Sequence, residues 1–220
     1  MAVKIKICGV RTPAIVETAA AEGADFIGLM LFENSPRHVE VEAARVLAAI
    51  ARGKIGTVAV LVDPDEALID EVAARVRPDI LQLHGSETPE RVAAIKARTG
   101  LPAMKAIGVR EAADTAEAAA FAEIADIILF DAKPALNASV PGGAGTVFDW
   151  TLLRDVSAPF ALSGGLNPDN VGEAIALTGA SLVDVSSGVE RMRGEKDAGL
   201  IRSFVHAAKE AAPQTRAKAS

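Results

Sequence analysis

Val3-Lys4-Ile5-Lys6-Ile7-Cys8-Gly9 alternates lysine with isoleucine and ends in a thiol and a glycine. A period of two is the mark of a strand. It puts Lys4, Lys6 and Cys8 on one face and Ile5 and Ile7 on the other. This strand carries the only cysteine of 220 residues at its C-terminal end, just before a glycine turn, and is a candidate for chemistry.

Outward from it, short β-type runs begin near Val3, Phe26, Gly56, Ile80, Ala103, Ile127, Phe160 and Leu182, at intervals of 22 to 33 residues. Alanine-rich segments with charges at helical spacing separate them, such as Val41–Ala51, Glu66–Val76, Pro89–Ala97 and Glu111–Ala122. Each interval has room for a strand and a crossover helix. Thr12-Pro13, Asp63-Pro64, Thr88-Pro89 and Asn167-Pro168 each read as an N-cap followed by the first helical residue. Thr57–Val62 and Ile127–Phe130 are almost continuously apolar, as parallel strands covered on both faces are. Eight such units predict a single (β/α)8 TIM barrel of parallel strands over residues 1–210, with a polar tail over 211–220. The competitor is an open doubly wound sheet, but no Gly-x-Gly-x-x-Gly follows the first strand.

Half of the residues are hydrophobic, enough for a sizeable core, yet no run approaches the ~20 apolar residues of a membrane span. The chain enters its first strand at once, so no signal peptide is expected and the expected location is cytoplasmic. One cysteine forms no internal disulfide, and no Cys/His cluster has metal spacing. The net charge of −6 argues against a nucleic-acid partner. It leaves room for an anionic small molecule in a locally positive cleft. Nothing in the composition sets an oligomeric state, and a monomer is the starting expectation.

Parity sorts the side chains. Lys6 and Cys8, Gln82 and His84, Lys105, Asp131, Ser163, and Asp184 with Ser186 form the polar faces of their strands, and these should point to the barrel axis. Cys8, His84 and Asp131 end their strands, so all three should surround the C-terminal mouth, where active sites of such barrels lie. A lone cysteine is as often a small buried apolar residue. Here Lys6, two residues below, would favour the thiolate, the useful base or nucleophile. Asp131 either pins its loop or holds a proton for general acid work. His84 suits a binding or orienting role. Arg37, in Ser35-Pro36-Arg37-His38, is placed to grip a substrate carboxylate. Glycines recur after three successive strands: Gly142-Gly143 with Gly145, Ser163-Gly164-Gly165, and Ser186-Ser187-Gly188. Backbone N–H groups of such loops can cradle phosphate, so the expected ligand is a phosphorylated small molecule.

Lys6-Ile7-Cys8-Gly9, Gly23-Ala24-Asp25 with Gly28, Ser35-Pro36-Arg37, Leu81-Gln82-Leu83-His84-Gly85, Leu129-Phe130-Asp131, Phe148-Asp149-Trp150, Ser163-Gly164-Gly165-Leu166 and Asp184-Val185-Ser186-Ser187-Gly188-Val189-Glu190 follow in order. With the Gly142-Gly143 and Gly145 loop, this set resembles the phosphoribosylanthranilate isomerase family of tryptophan biosynthesis, from the first strand to Lys196-Asp197. The resemblance implies an Amadori rearrangement of an aminoaldose to an aminoketose, with Asp131 as general acid and Cys8 as general base. It implies that Arg37, His84, Asp184 and the glycine loops bind substrate, and that no metal or redox cofactor takes part. A thiol pKa lowered by Lys6 is the matching expectation for Cys8. Three rivals remain in view. One is the dual histidine/tryptophan-pathway barrel, which has aspartate at position 8. The second is a Schiff-base lyase using Lys105 or Lys133, and the third is a barrel that binds a phosphorylated ligand without turnover.

Overall fold

The computed structural model describes residues 2–133, 147–156 and 158–211. Eight parallel strands close into a barrel: β1 (Lys4–Cys8), β2 (Phe26–Met30), β3 (Gly56–Leu61), β4 (Ile80–Leu83), β5 (Ala103–Val109), β6 (Ile127–Ala132), β7 (Phe160–Leu162) and β8 (Leu182–Val185). β1 pairs with both β2 and β8, so the sheet has no open edge and the doubly wound alternative falls. Helices α1 (Pro13–Glu22), α2 (Val41–Ala51), α3 (Glu66–Glu71), α4 (Pro89–Thr99), α5 (Ala112–Ala116), α6 (Val171–Thr178) and α7 (Ala198–Ala211) surround it. A short antiparallel hairpin, β9 (Glu190–Met192) and β10 (Glu195–Lys196), follows β8. None of the described helices is long and apolar enough to cross a membrane. The last helix runs through Ala211, the first residue of the expected tail, and residues 212–220 lie outside the described part.

The period-two reading of β1 holds. Ile5 and Ile7 are fully buried in the shell between strands and helices, whereas Cys8 belongs to a separate cluster with Val58, Val60, Met104, Leu129, Ala161 and Leu182. That second cluster fills the barrel. It also corrects β5: Met104 and Ala106 point inward, and Lys105 points outward. Lys105 Nζ donates to Glu87 at 2.6 Å and to the carbonyl of Gly85 at 2.7 Å. Glu87 in turn accepts from the N–H groups of Asp63 and Gly85. A buried ion pair thus ties the loops after β3 and β4 to the outside of β5. Removing one partner strands the other charge, so Glu87→Ala should cost about 3–5 kcal/mol in urea unfolding. A loss below 1 kcal/mol would show that Lys105 finds water instead.

Two of the four expected caps form. The side chains of Thr12 and Thr88 accept from the N–H groups of Ile15 and Arg91, each followed by proline in the first turn. The other two shift by local geometry. Asp63 adopts φ +44°, and Asp65 caps α3. Asn167 accepts from the N–H groups of Asp169 and Asn170, which turns the chain once more before α6 begins at Val171. At the opposite end of the barrel, Asp25, Asp79 and Asp126 precede β2, β4 and β6. Each accepts from the first or second N–H of the preceding strand, at Ile5, Thr57 and Ala103. These carboxylates satisfy strand ends that would otherwise be orphaned.

Candidate active site

Cys8 is the last residue of β1, with its thiol inside the barrel and 6 % of its surface exposed. Its register partner on β2 is Gly28. A Cβ at position 28 would lie 2.8 Å from Cys8 Sγ and 3.2 Å from Lys6 Cε. Gly28 is therefore the space in which the thiol sits. Gly28→Ala should push the sulfur aside and lower kcat by about tenfold or more, since displacements of ~1 Å cost up to 10²-fold. An unchanged kcat would show that the thiol position is not critical.

One turn of the strand deeper, Lys6 pairs with Asp184 of β8, its register neighbour, at 2.9 Å, and both are buried. Burial works against the Lys6 ammonium, but Asp184 and then Cys8 outweigh it and leave its pKa above the ordinary value. For Cys8 the balance goes the other way. Burial pushes the thiol up, and the lowering by Lys6 does not overcome it. The expected lowering of this pKa is thus corrected: desolvation of a thiolate inside the barrel exceeds the help from one cation that Asp184 already holds.

Asp131 stands one residue before the end of β6 and is 5 % exposed. Its Oδ1 accepts from the N–H of Ala132 at 2.8 Å, and His84 Nε2 faces its Oδ2 at 3.2 Å. On the other side of the ring, Gln82 Nε2 meets His84 Nδ1 at 2.8 Å. With the amide so oriented, Nδ1 is the acceptor of this bond. Gln82 is fully buried. His84 therefore lies against the second candidate catalytic group, beyond the binding role expected for it. Sequence parity put Gln82 on this face without a role. Its position two residues before His84 on one strand was the available signal.

The glycine loops are built by close approach. Gly164 and Gly165 have φ +89° and +65°, a region that L side chains rarely enter. A Cβ on Gly164 would meet the Ala132 nitrogen at 2.6 Å and Asp131 Oδ1 at 3.1 Å. A Cβ on Gly188 would run into the backbone of Leu166 and Asn167. So the loop after β7 packs against the end of β6 and against the loop after β8, with Ser163 just past β7, and with Ser186 and Ser187 just past β8. Ser186 Oγ donates to the Cys8 carbonyl at 3.2 Å and binds Lys196 Nζ at the same distance. Gly142, Gly143 and Gly145 lie outside the described residues.

Arg37 is buried at the mouth. Its Nε and Nη2 donate to the two oxygens of Glu190 at 2.7 and 2.9 Å. Glu190 also accepts from Lys196 Nζ at 2.6 Å and from the N–H of Gly194 at 3.0 Å. Burial would raise the Glu190 carboxyl, but Arg37 and Lys196 bring it down to about 2. The roles of Glu190 and Lys196 were not legible in sequence, because 153 residues separate Arg37 from its partner. Both lysines of the Schiff-base rival are committed, Lys105 to Glu87 and Lys133 to Asp114, each at 2.6 Å.

A family model for N-(5'-phosphoribosyl)anthranilate isomerase matches residues 5–207. The isomerase of Rhodopseudomonas palustris strain BisB5 is 54% identical over 211 residues, covering 95% of this chain and 97% of the relative. Among solved structures, the phosphoribosyl anthranilate isomerase from Thermotoga maritima superposes with a TM-score of 0.85 at 34% identity, covering 94% of this chain and 99% of that one. A phosphoribosyl anthranilate isomerase in complex with reduced 1-(o-carboxyphenylamino)-1-deoxyribulose 5-phosphate gives a TM-score of 0.82 at 34% identity, covering 94% and 99% of the two chains. A match along nearly the whole barrel, with the strand-end residues in place, means that this chain belongs to the N-(5'-phosphoribosyl)anthranilate isomerase family.

Proposed function

We propose that the barrel converts N-(5'-phosphoribosyl)anthranilate into 1-(2-carboxyphenylamino)-1-deoxyribulose 5-phosphate, with Asp131 as general acid and Cys8 as general base. The observation that carries the assignment is the gathering of the two groups at one mouth. Cys8 lies over the Lys6–Asp184 pair, and Asp131 is held by His84 and the Ala132 N–H.

Asp131 gives its proton to the furanose ring oxygen as the bond from C1 to that oxygen breaks. The nitrogen lone pair moves in to form a C1 iminium. The iminium acidifies the C2 proton, which the Cys8 thiolate removes to give an enolamine. The enolamine then loses its C2 hydroxyl proton as C1 gains one, and the ketone forms with no net proton uptake. The raised thiol pKa leaves less thiolate at neutral pH, but each thiolate is a stronger base. In this reading Arg37 meets the aromatic carboxylate. Ser163, Gly164, Gly165, Ser186, Ser187 and Gly188, with Gly142, Gly143 and Gly145, surround the phosphate. Asp184 keeps Lys6 in place below the sugar. The expected location of this reaction is the cytoplasm.

Anthranilate fluorescence, followed while the aminoaldose is generated in place, tests the reading. Turnover by the well-folded protein is the expected result. Binding of the product analogue without turnover would instead support the non-catalytic barrel.

A further inference from the structure

Glu190 cannot itself receive the substrate. Its two oxygens already take Nε and Nη2 of Arg37, Nζ of Lys196 and the N–H of Gly194. Arg37 comes from the loop after β2, and Glu190 comes from the first residue of the hairpin strand β9. The fork-to-fork geometry fixes the guanidinium plane as well as its distance. The stem of Arg37 is fixed too: at Gly9, with φ +78°, a Cβ would lie 2.6 Å from Arg37 Cδ. Lys196 leads from the same carboxylate to the carbonyl and hydroxyl of Ser186, and Ser186 Oγ reaches the Cys8 carbonyl. One anion thus organises two buried cations, and the trio keeps one net positive charge.

We propose that Glu190 is a positioning residue for the substrate's aromatic carboxylate, acting by holding Arg37 in the plane in which it can grip that group. The inference rests on the reading that Arg37 meets the carboxylate. It adds a function for the β9–β10 hairpin, which supplies both Glu190 and Lys196. The carboxylate of Glu190 stays ionised far below neutral pH, so its effect is the same across the usual assay range.

The test uses E190Q, R37M and the double variant. Two substrates are compared, the anthranilate aminoaldose and the aldosylamine made from ribose 5-phosphate and aniline, which lacks the carboxylate. For the anthranilate substrate, E190Q should raise KM about tenfold or more with kcat within about threefold, as expected for disturbing one charge-assisted hydrogen bond. For the aniline substrate, E190Q and the parent protein should agree. The double variant should be no worse than R37M alone. A fall in kcat with KM unchanged, or additive effects of E190Q and R37M, would overturn the inference. Should E190Q fail to fold, E190D keeps the charge but shortens the reach, and the same KM-specific loss is required of it. Calorimetric binding of the reduced product analogue separates the two readings. If the parent binds it without turnover, the catalytic reading fails. If E190Q and E190D both bind it as tightly as the parent, the positioning role fails.

Discussion

Cys8→Ala should leave a folded barrel whose kcat/KM is lower by about 10²–10⁴-fold, the usual worth of one positioned base. The fold should survive because the thiol occupies a place inside the barrel bounded by Gly28 and apolar neighbours, and alanine removes only one heavy atom there. The loss should fall on kcat, since the thiol acts on a proton that becomes acidic only after the ring opens. Cys8→Ser is the sharper variant. A serine hydroxyl fills nearly the same volume but does not ionise in the accessible pH range. The pH dependence follows from burial. Desolvation favours the neutral thiol, so kcat/KM of the parent should rise toward the alkaline side of an ordinary cysteine, as the thiolate fraction grows. In Cys8→Ser this limb should vanish. A parent profile already flat above pH 6 would mean that the thiol is ionised there in the free protein, against the direction that burial sets. Retention of full activity by Cys8→Ala would remove it from the mechanism.

Much of this architecture was legible in the chain because parallel barrels repeat one local pattern. Seven of the eight strand starts fall where apolar runs begin, and β1 starts one residue later, at Lys4. Parity correctly turned Cys8, Gln82, Asp131 and Asp184 inward, since each shares a face with residues that fill the barrel or its mouth. It failed on β5 because polarity was taken as the mark of the interior. Met104 and Ala106 fill the axis there, while Lys105 stays dry on the outer face only because Glu87 meets it. No local pattern announces that partner. The same limit hid the grip of Glu190 on Arg37, which depends on how loops converge after closure. The thiol pKa went astray for a related reason. A cation two residues away is visible in a sequence, but the depth of burial that opposes it is not.

Asp131→Asn should lower kcat by a similar ~10²–10⁴-fold while leaving binding of the product analogue almost unchanged. The carboxylate accepts the Ala132 N–H on Oδ1, and His84 Nε2 lies 3.2 Å from Oδ2. An asparagine keeps one oxygen for one of them but turns an NH2 group toward the other, and it has no acidic proton to give the ring oxygen. The step lost should therefore be ring opening. A C2-deuterated substrate makes that visible. Where proton removal by Cys8 limits the rate, deuterium slows turnover. In Asp131→Asn ring opening becomes the slow step, and the isotope effect should shrink toward unity. Removing Cys8 should do the reverse and keep C2–H cleavage limiting. Two variants with comparable losses would thus differ in the size of their isotope effect. An undiminished isotope effect in Asp131→Asn would mean that C2–H cleavage still limits and that ring opening does not depend on Asp131, leaving His84, 3.2 Å away, as the next candidate for the acid.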